Sequence, residues 1–173
     1  KPGTRWDYSN EGVQLLSPIL NKAAGEPIQD YARKRLFEPL GMYDTRLHVD
    51  QAGHAWTYAA METTLRDFAR LGLLMLNRGK WGEQQIISEG WIQESTSPSQ
   101  ELFSGYGFLW WLDTPNGFRA DGYLDTNLYV FPEYELVVAR MQRNPSGLPD
   151  EGNYEPLAAH LLAQLIQTFV PEH

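Results

Sequence analysis

Apolar positions follow a helical period through the first part of this chain and switch to alternation beyond Ser104. Val13, Leu16, Ile19, Leu20 and Ala23 share one face of a helix expected over residues 10–24. Ser9 or Asn10 can cap its start, and Gly25 stands where a helix-ending glycine belongs. Pro18 should kink or shorten this helix, because it lacks the N–H that an interior turn needs. A second helix is expected from Pro27, as its first residue, to Phe37, with Ile28, Tyr31, Ala32 and Leu36 inward. Glu38-Pro39-Leu40-Gly41-Met42 ends it, and residues 43–60 read as irregular. The clearest helix starts at Thr64, with Asp67 as a capping-box partner. Leu65, Phe68, Ala69, Gly72, Leu73 and Leu76 form its buried stripe, and Asn77-Arg78-Gly79 closes it. Ser88 caps a short helix holding Trp91 and Ile92.

Beyond Ser104, Tyr106, Phe108 and Trp110 alternate with Gly107, Leu109 and Trp111, which predicts a strand apolar on both faces. Residues 118–123, 127–131 and 135–142 read as three further strands. Phe131-Pro132-Glu133-Tyr134 is the turn between the last two, and Asp125-Thr126-Asn127 is a hairpin turn. A helix over Tyr154 to Phe169 closes the chain. Helices, then a small antiparallel meander, then a helix make an α+β pattern, read as a single unit over 1–173.

Composition narrows the function classes. A net charge of −8 disfavours nucleic acid, since neutralising phosphates needs a basic face and only Arg33-Lys34-Arg35 clusters. No apolar run approaches the roughly 20 residues of a membrane span, and no signal peptide is expected, since the chain opens on a turn. Zero cysteines exclude thiolate nucleophiles and disulfides. His48, His54, His160 and His173 lack metal-binding spacing, so neither metal nor cofactor is expected. The 13% aromatic content fits a pocket or an aromatic-rich core equally.

Tyr8 and Asn10 are the candidate chemistry. One residue apart in extended backbone, they point to the same side, offering a phenol for proton transfer and an amide for substrate contact. Asn10 could also serve only as a helix cap.

Pro2-Gly3-Thr4-x-Trp6-x-Tyr8-Ser9-Asn10-x-Gly12 resembles the second motif region of penicillin-recognising serine hydrolases, in the class C β-lactamase-like branch with its esterase and peptidase relatives. Four further stretches resemble that branch in order: 37–45, 60–72, Tyr106-Gly107-Phe108-Leu109-Trp110-Trp111, and Phe118-x-Ala120-x-Gly122 with Val130-Phe131-Pro132-Glu133. The resemblance covers essentially the whole chain and about the C-terminal half of the family's catalytic domain. It implies a partial β-lactamase/transpeptidase-like fold without the nucleophile helix, an antiparallel sheet flanked by helices, and acyl transfer through a serine. It also slightly favours a periplasmic or secreted parent.

By the same resemblance Tyr8 would assist proton transfer and Asn10 would hold a substrate amide or carbonyl. A tyrosine near its ordinary pKa of ~10 is a poor base at neutral pH, so it needs neighbouring ammonium groups. The family's nucleophile is a serine followed three residues later by lysine, and no serine here has one. It is expected upstream of Lys1. Ala120-Asp121-Gly122 stands where Lys-Thr-Gly is the pattern. Asp121 would disfavour carboxylate-bearing substrates and suit neutral esters or amine-bearing amides, or it is a solvated strand-end charge. The Tyr123 N–H, after Gly122, would be the second oxyanion donor. Trp110 and Trp111 read as core.

Two readings follow. One is the C-terminal portion of a serine hydrolase for small esters or amides, inert alone and repaired by a homodimer or a complementing N-terminal segment. The other is a non-catalytic binding module.

Overall fold

The computed structural model describes residues 3–123 and 126–141. The expected helix over Tyr154 to Phe169 lies outside them. The first expected helix is two: α1 (Asn10–Gln14) and α2 (Leu16–Ala24), breaking at Leu15. Pro18 therefore falls in the first turn of α2, where its missing N–H would have had no intrahelical acceptor. Gly25 closes α2 in the left-handed region at φ 71°. After Pro27, α3 (Ile28–Ala32) widens into a π-helical stretch over Arg33–Phe37, with Glu38 N–H donating to Arg33 C=O at 2.9 Å.

The stretch read as irregular is bounded by a small hairpin, β1 (Arg46–Leu47) with β2 (Met61–Glu62). Next comes α4 (Leu65–Leu76), where Thr64 Oγ1 accepts from Asp67 N–H at 3.1 Å. Only half of the expected capping box forms. The Asp67 carboxylate, 3% exposed as a residue, turns instead to Thr45 Oγ1 at 3.1 Å and to Arg70. This ties the preceding loop to α4. A second hairpin, β3 (Lys80–Trp81) with β4 (Gln84–Gln85), was not foreseen; its bend uses Gly82 at φ 56°. Ser88 caps α5 (Glu89–Ser95) by accepting from Trp91 N–H at 3.3 Å.

The strand expected over 106–111 does not form. Gly107 N–H donates to Trp110 C=O at 2.8 Å, so the chain folds back and Tyr106 bridges Trp111. Gly107 permits this, because a Cβ there would lie 2.2 Å from the Ser95 carbonyl oxygen at the end of α5. Apolar alternation alone could not register that backbone contact.

The meander is a three-stranded antiparallel sheet in the order β5 (Phe118–Gly122), β6 (Thr126–Phe131), β7 (Leu136–Arg140). Thr126 and Asn127 pair with Gly122 and Asp121, so they belong to β6 and not to the turn assigned from sequence. A short 3-10 helix over Pro132–Tyr134, with Glu135 left-handed at φ 48°, makes the turn before β7. Helix α4 crosses β6 and β7 at close range: a Cβ on Gly72 would stand 2.5 Å from Val137 Cγ1 and 2.9 Å from Leu128 Cδ1. Met75, Ile92, Phe118 and Val130 form the core between them, with Trp110 packed alongside. Phe37, Leu40, Met42 and Leu74 form a second cluster on the other side of α4. The outcome is α+β, with helices against one face of an antiparallel sheet.

Candidate active site

Residues 5–9 carry no regular structure, and aromatic contacts place them. Trp6 packs on Phe103 with ring centroids 4.3 Å apart, and also meets Tyr106 at 5.8 Å and Trp111 at 6.1 Å. Tyr8 stacks on Trp111 at 5.9 Å and stands edge-on to Tyr106 at 6.2 Å. The Tyr-Gly-x-x-Trp-Trp turn is thus the wall against which the second motif rests. Trp110 is core as expected, edge-on to Phe118 at 5.1 Å, but Trp111 faces Tyr8. The two neighbours divide because the turn sends their side chains to different layers.

Tyr8 is 45% exposed, and its hydroxyl has no hydrogen-bond partner among the described residues. Ser9 is extended (φ −142°, ψ 115°), which keeps Tyr8 and Asn10 to one side. Ser9, not Asn10, caps α1, with Oγ accepting from Gly12 N–H at 3.0 Å. Asn10 becomes the first helical residue, exposed, its amide making no hydrogen bond among the described residues. The alternative left open by sequence is thereby decided: the cap does not use Asn10.

The phenol of Tyr106 is pushed up to about 12, by burial first and by the adjacent Tyr8 second. A raised tyrosine favours the folded state while the unfolded phenol is still protonated, and that contribution disappears as pH rises through the folded value. The stability difference between wild type and Tyr106→Phe should therefore be constant below pH ~10 and change between about 10 and 12. Urea unfolding across that range measures it; parallel pH curves for the two proteins would refute the assignment.

On β5 the side chains alternate. Phe118 and Ala120 face the α4 side, and Arg119 and Asp121 face the side of Trp111. Ala120 thus brings no ammonium where the third motif has lysine. Asp121 is no lone carboxylate, since Arg119 binds it and also makes two 3.0 Å bonds to Asp113. Burial works against the Arg119 charge, and the bonds to Asp113 and Asp121 outweigh it, leaving its pKa above the usual value. Arg119 Cζ lies 5.6 Å from the Trp111 ring centroid. Gly122 ends the strand opposite Thr126, and Tyr123 beyond it is 69% exposed. The structure therefore links Tyr8 to Asp121 through Trp111 and Arg119, while no hydrogen bond joins Asn10 to Asp121 or Gly122. Sequence reasoning passed over Asp113 and Arg119, and it placed Trp111 in the core. The alternation Arg119-x-Asp121 was a legible signal for a same-face ion pair; Asp113 gave none. Among the described residues no group of three or more His, Asp or Glu is arranged to hold a metal ion, and no helix is long and apolar enough to cross a membrane.

Residues 1–163 match the family model described as Beta-lactamase. The chain is 25% identical over 172 residues to the 6-aminohexanoate-dimer hydrolase of Paenarthrobacter ureafaciens, covering 91% of this chain and 43% of that protein. A 48-residue stretch, 28% of this chain and 11% of the relative, is 40% identical to penicillin-binding protein 4* of Bacillus subtilis (strain 168). Among solved structures, a Bacillus anthracis protein provisionally named a 6-aminohexanoate-dimer hydrolase superposes with a TM-score of 0.71 at 23% identity, over 80% of this chain and 38% of that one. The octameric penicillin-binding protein homologue of Pyrococcus abyssi gives 0.62 at 20% identity, over 96% and 44%. The chain spans less than half the length of the relatives it matches most fully. The family has hydrolases such as the 6-aminohexanoate-dimer hydrolase among its members, and on the extent of the family match this chain belongs to the beta-lactamase family.

Proposed function

We propose that this chain supplies the second-motif tyrosine and the third-motif strand of a serine hydrolase that cleaves small esters or amides through an acyl-serine. The serine and its lysine come from residues outside this sequence, and 1–173 form one unit of the catalytic domain. The observation that carries the reading is Tyr8, a half-exposed phenol held by its ring on Trp111 while its hydroxyl is unengaged among the described residues. In this scheme the serine Oγ attacks the carbonyl carbon and passes its proton through Tyr8 toward the leaving group. Asn10 holds the substrate amide. The Tyr123 N–H donates to the developing oxyanion, where fixed donors act most strongly.

Asp113, Arg119 and Asp121 together carry two negative charges and one positive, a net −1 beside the Trp111 face. That balance favours an amine-bearing amide over a carboxylate-bearing lactam, since like charge costs affinity and the net negative charge attracts a cation. The name of the 6-aminohexanoate-dimer hydrolase relative is in keeping with this choice. A fluorophosphonate probe tests the reading. It should label a single serine in a polypeptide joining this chain to a Ser-x-x-Lys segment, and none in the 173-residue chain. Failure of labelling in the longer polypeptide would favour the non-catalytic binding module, and labelling of the short chain would place the nucleophile within it and overturn the reading.

A further inference from the structure

We propose that Arg119, clamped between Asp113 and Asp121, is a positioning residue that fixes the Trp111 indole and, through it, the ring of Tyr8. Trp111 and Arg119 exchange both backbone hydrogen bonds, at 2.8 and 2.9 Å, which makes them a facing pair with side chains on one side. Tyr129, 3% exposed, faces Arg119 from the neighbouring strand β6. The guanidinium is thus enclosed across the sheet, with its side chain only 17% exposed. Its Nε and Nη2 meet the two oxygens of Asp113, and its Nη1 meets Asp121, so all three nitrogens are engaged. A cation held this way cannot swing out to bind a substrate anion.

What remains is its face toward Trp111. Tyr8 sits on a segment without regular structure, and the aromatic rings it meets among the described residues are those of Trp111 and Tyr106. Those two rings bear on its position, and Trp111 is the one whose indole lies against a fixed charge. Lysine could not replace Arg119, because a point charge on a flexible stem cannot bond both carboxylates and present a flat face to the indole.

The inference rests on Tyr8 being the relay tyrosine, but its test does not use activity. In the 173-residue chain with 13C-labelled tyrosine rings, the Tyr8 signal is identified by its loss in Tyr8→Phe. Stacking on the indole should displace it upfield. Arg119→Met should abolish that displacement while leaving Tyr31 and Tyr134, which have no ring contact with Trp111, where they were. Arg119→Lys should restore only part of it. An unchanged Tyr8 signal in Arg119→Met, or full restoration by lysine, overturns the proposal. If Arg119→Met does not fold, Asp113→Asn decides, because it removes one arm of the clamp. It should shift Tyr8, together with Tyr106, which stands edge-on to Trp111 at 4.8 Å, while Tyr31 and Tyr134 stay in place. An unmoved Tyr8 signal overturns the proposal. Failure of the fluorophosphonate to label the longer wild-type polypeptide, with the Tyr8 signal displaced upfield as expected, would instead count against the proposed function alone.

Discussion

Tyr8→Phe should slow acylation of the serine by about 10²–10⁴-fold in a polypeptide that joins this chain to a Ser-x-x-Lys segment. Removing one positioned proton-transfer group has that order of effect because the transition state loses a proton path, not a binding contact. Stability should hardly change. The hydroxyl is exposed and bonded to nothing among the described residues, and phenylalanine keeps the stack on Trp111 and the edge contact with Tyr106. The contrast with Asn10→Ala is informative, since loss of an amide that only holds substrate should appear in KM before it appears in kcat. Rapid-quench acylation by an activated ester, read beside thermal unfolding, measures both quantities. An unchanged acylation rate in Tyr8→Phe would remove the tyrosine from the mechanism.

Asp67→Ala should destabilise the fold by about 2–4 kcal/mol, since a buried carboxylate bonded to a hydroxyl and a guanidinium is costly to delete. Asp67 is buried at the start of α4, while its partner Arg70 keeps 30% side-chain exposure, so water offsets part of the loss there. The heavier consequence falls on Thr45, whose buried hydroxyl would keep only Thr63 at 2.7 Å. The cap itself survives, because Thr64 Oγ1 binds the Asp67 N–H and alanine retains it. Thr45→Val should therefore cost less, about 1 kcal/mol, since it removes a single neutral donor. Urea titrations of the three proteins would rank them. A loss below that of Thr45→Val in Asp67→Ala would mean the loop is not tied to α4 through this carboxylate.

Much of the fold is legible in the chain because local rules govern it. Thr64 and Ser88 cap the helices they announce, Gly25 ends α2, and the runs read as strands over 118–123 and 135–142 hold β5 and β7. The misreadings share one cause. At Asp67, at Gly107 and at Thr126 the decisive partner lies far along the chain or across the sheet: Thr45, the Ser95 carbonyl and Gly122. Periodicity cannot see such partners. Apolar alternation over 106–111 is equally consistent with a strand and with a turn that sends Trp110 inward and Trp111 toward Tyr8.

The same division holds for the candidate site. Sequence alone supplied the candidates for chemistry: the Tyr8-x-Asn10 pair, the altered Ala120-Asp121-Gly122 strand, and the absence of any serine with lysine three places on. Those are matters of residue type and near spacing, which local backbone geometry turns into position. Only the tertiary structure decided that Asp113 joins Asp121 on Arg119, and that Tyr8 rests on Trp111. Only there do Trp111 and Arg119 stand between the two motifs. The physical reason is that rings and charges act through space over about 4–6 Å, whatever number of residues separates them along the chain.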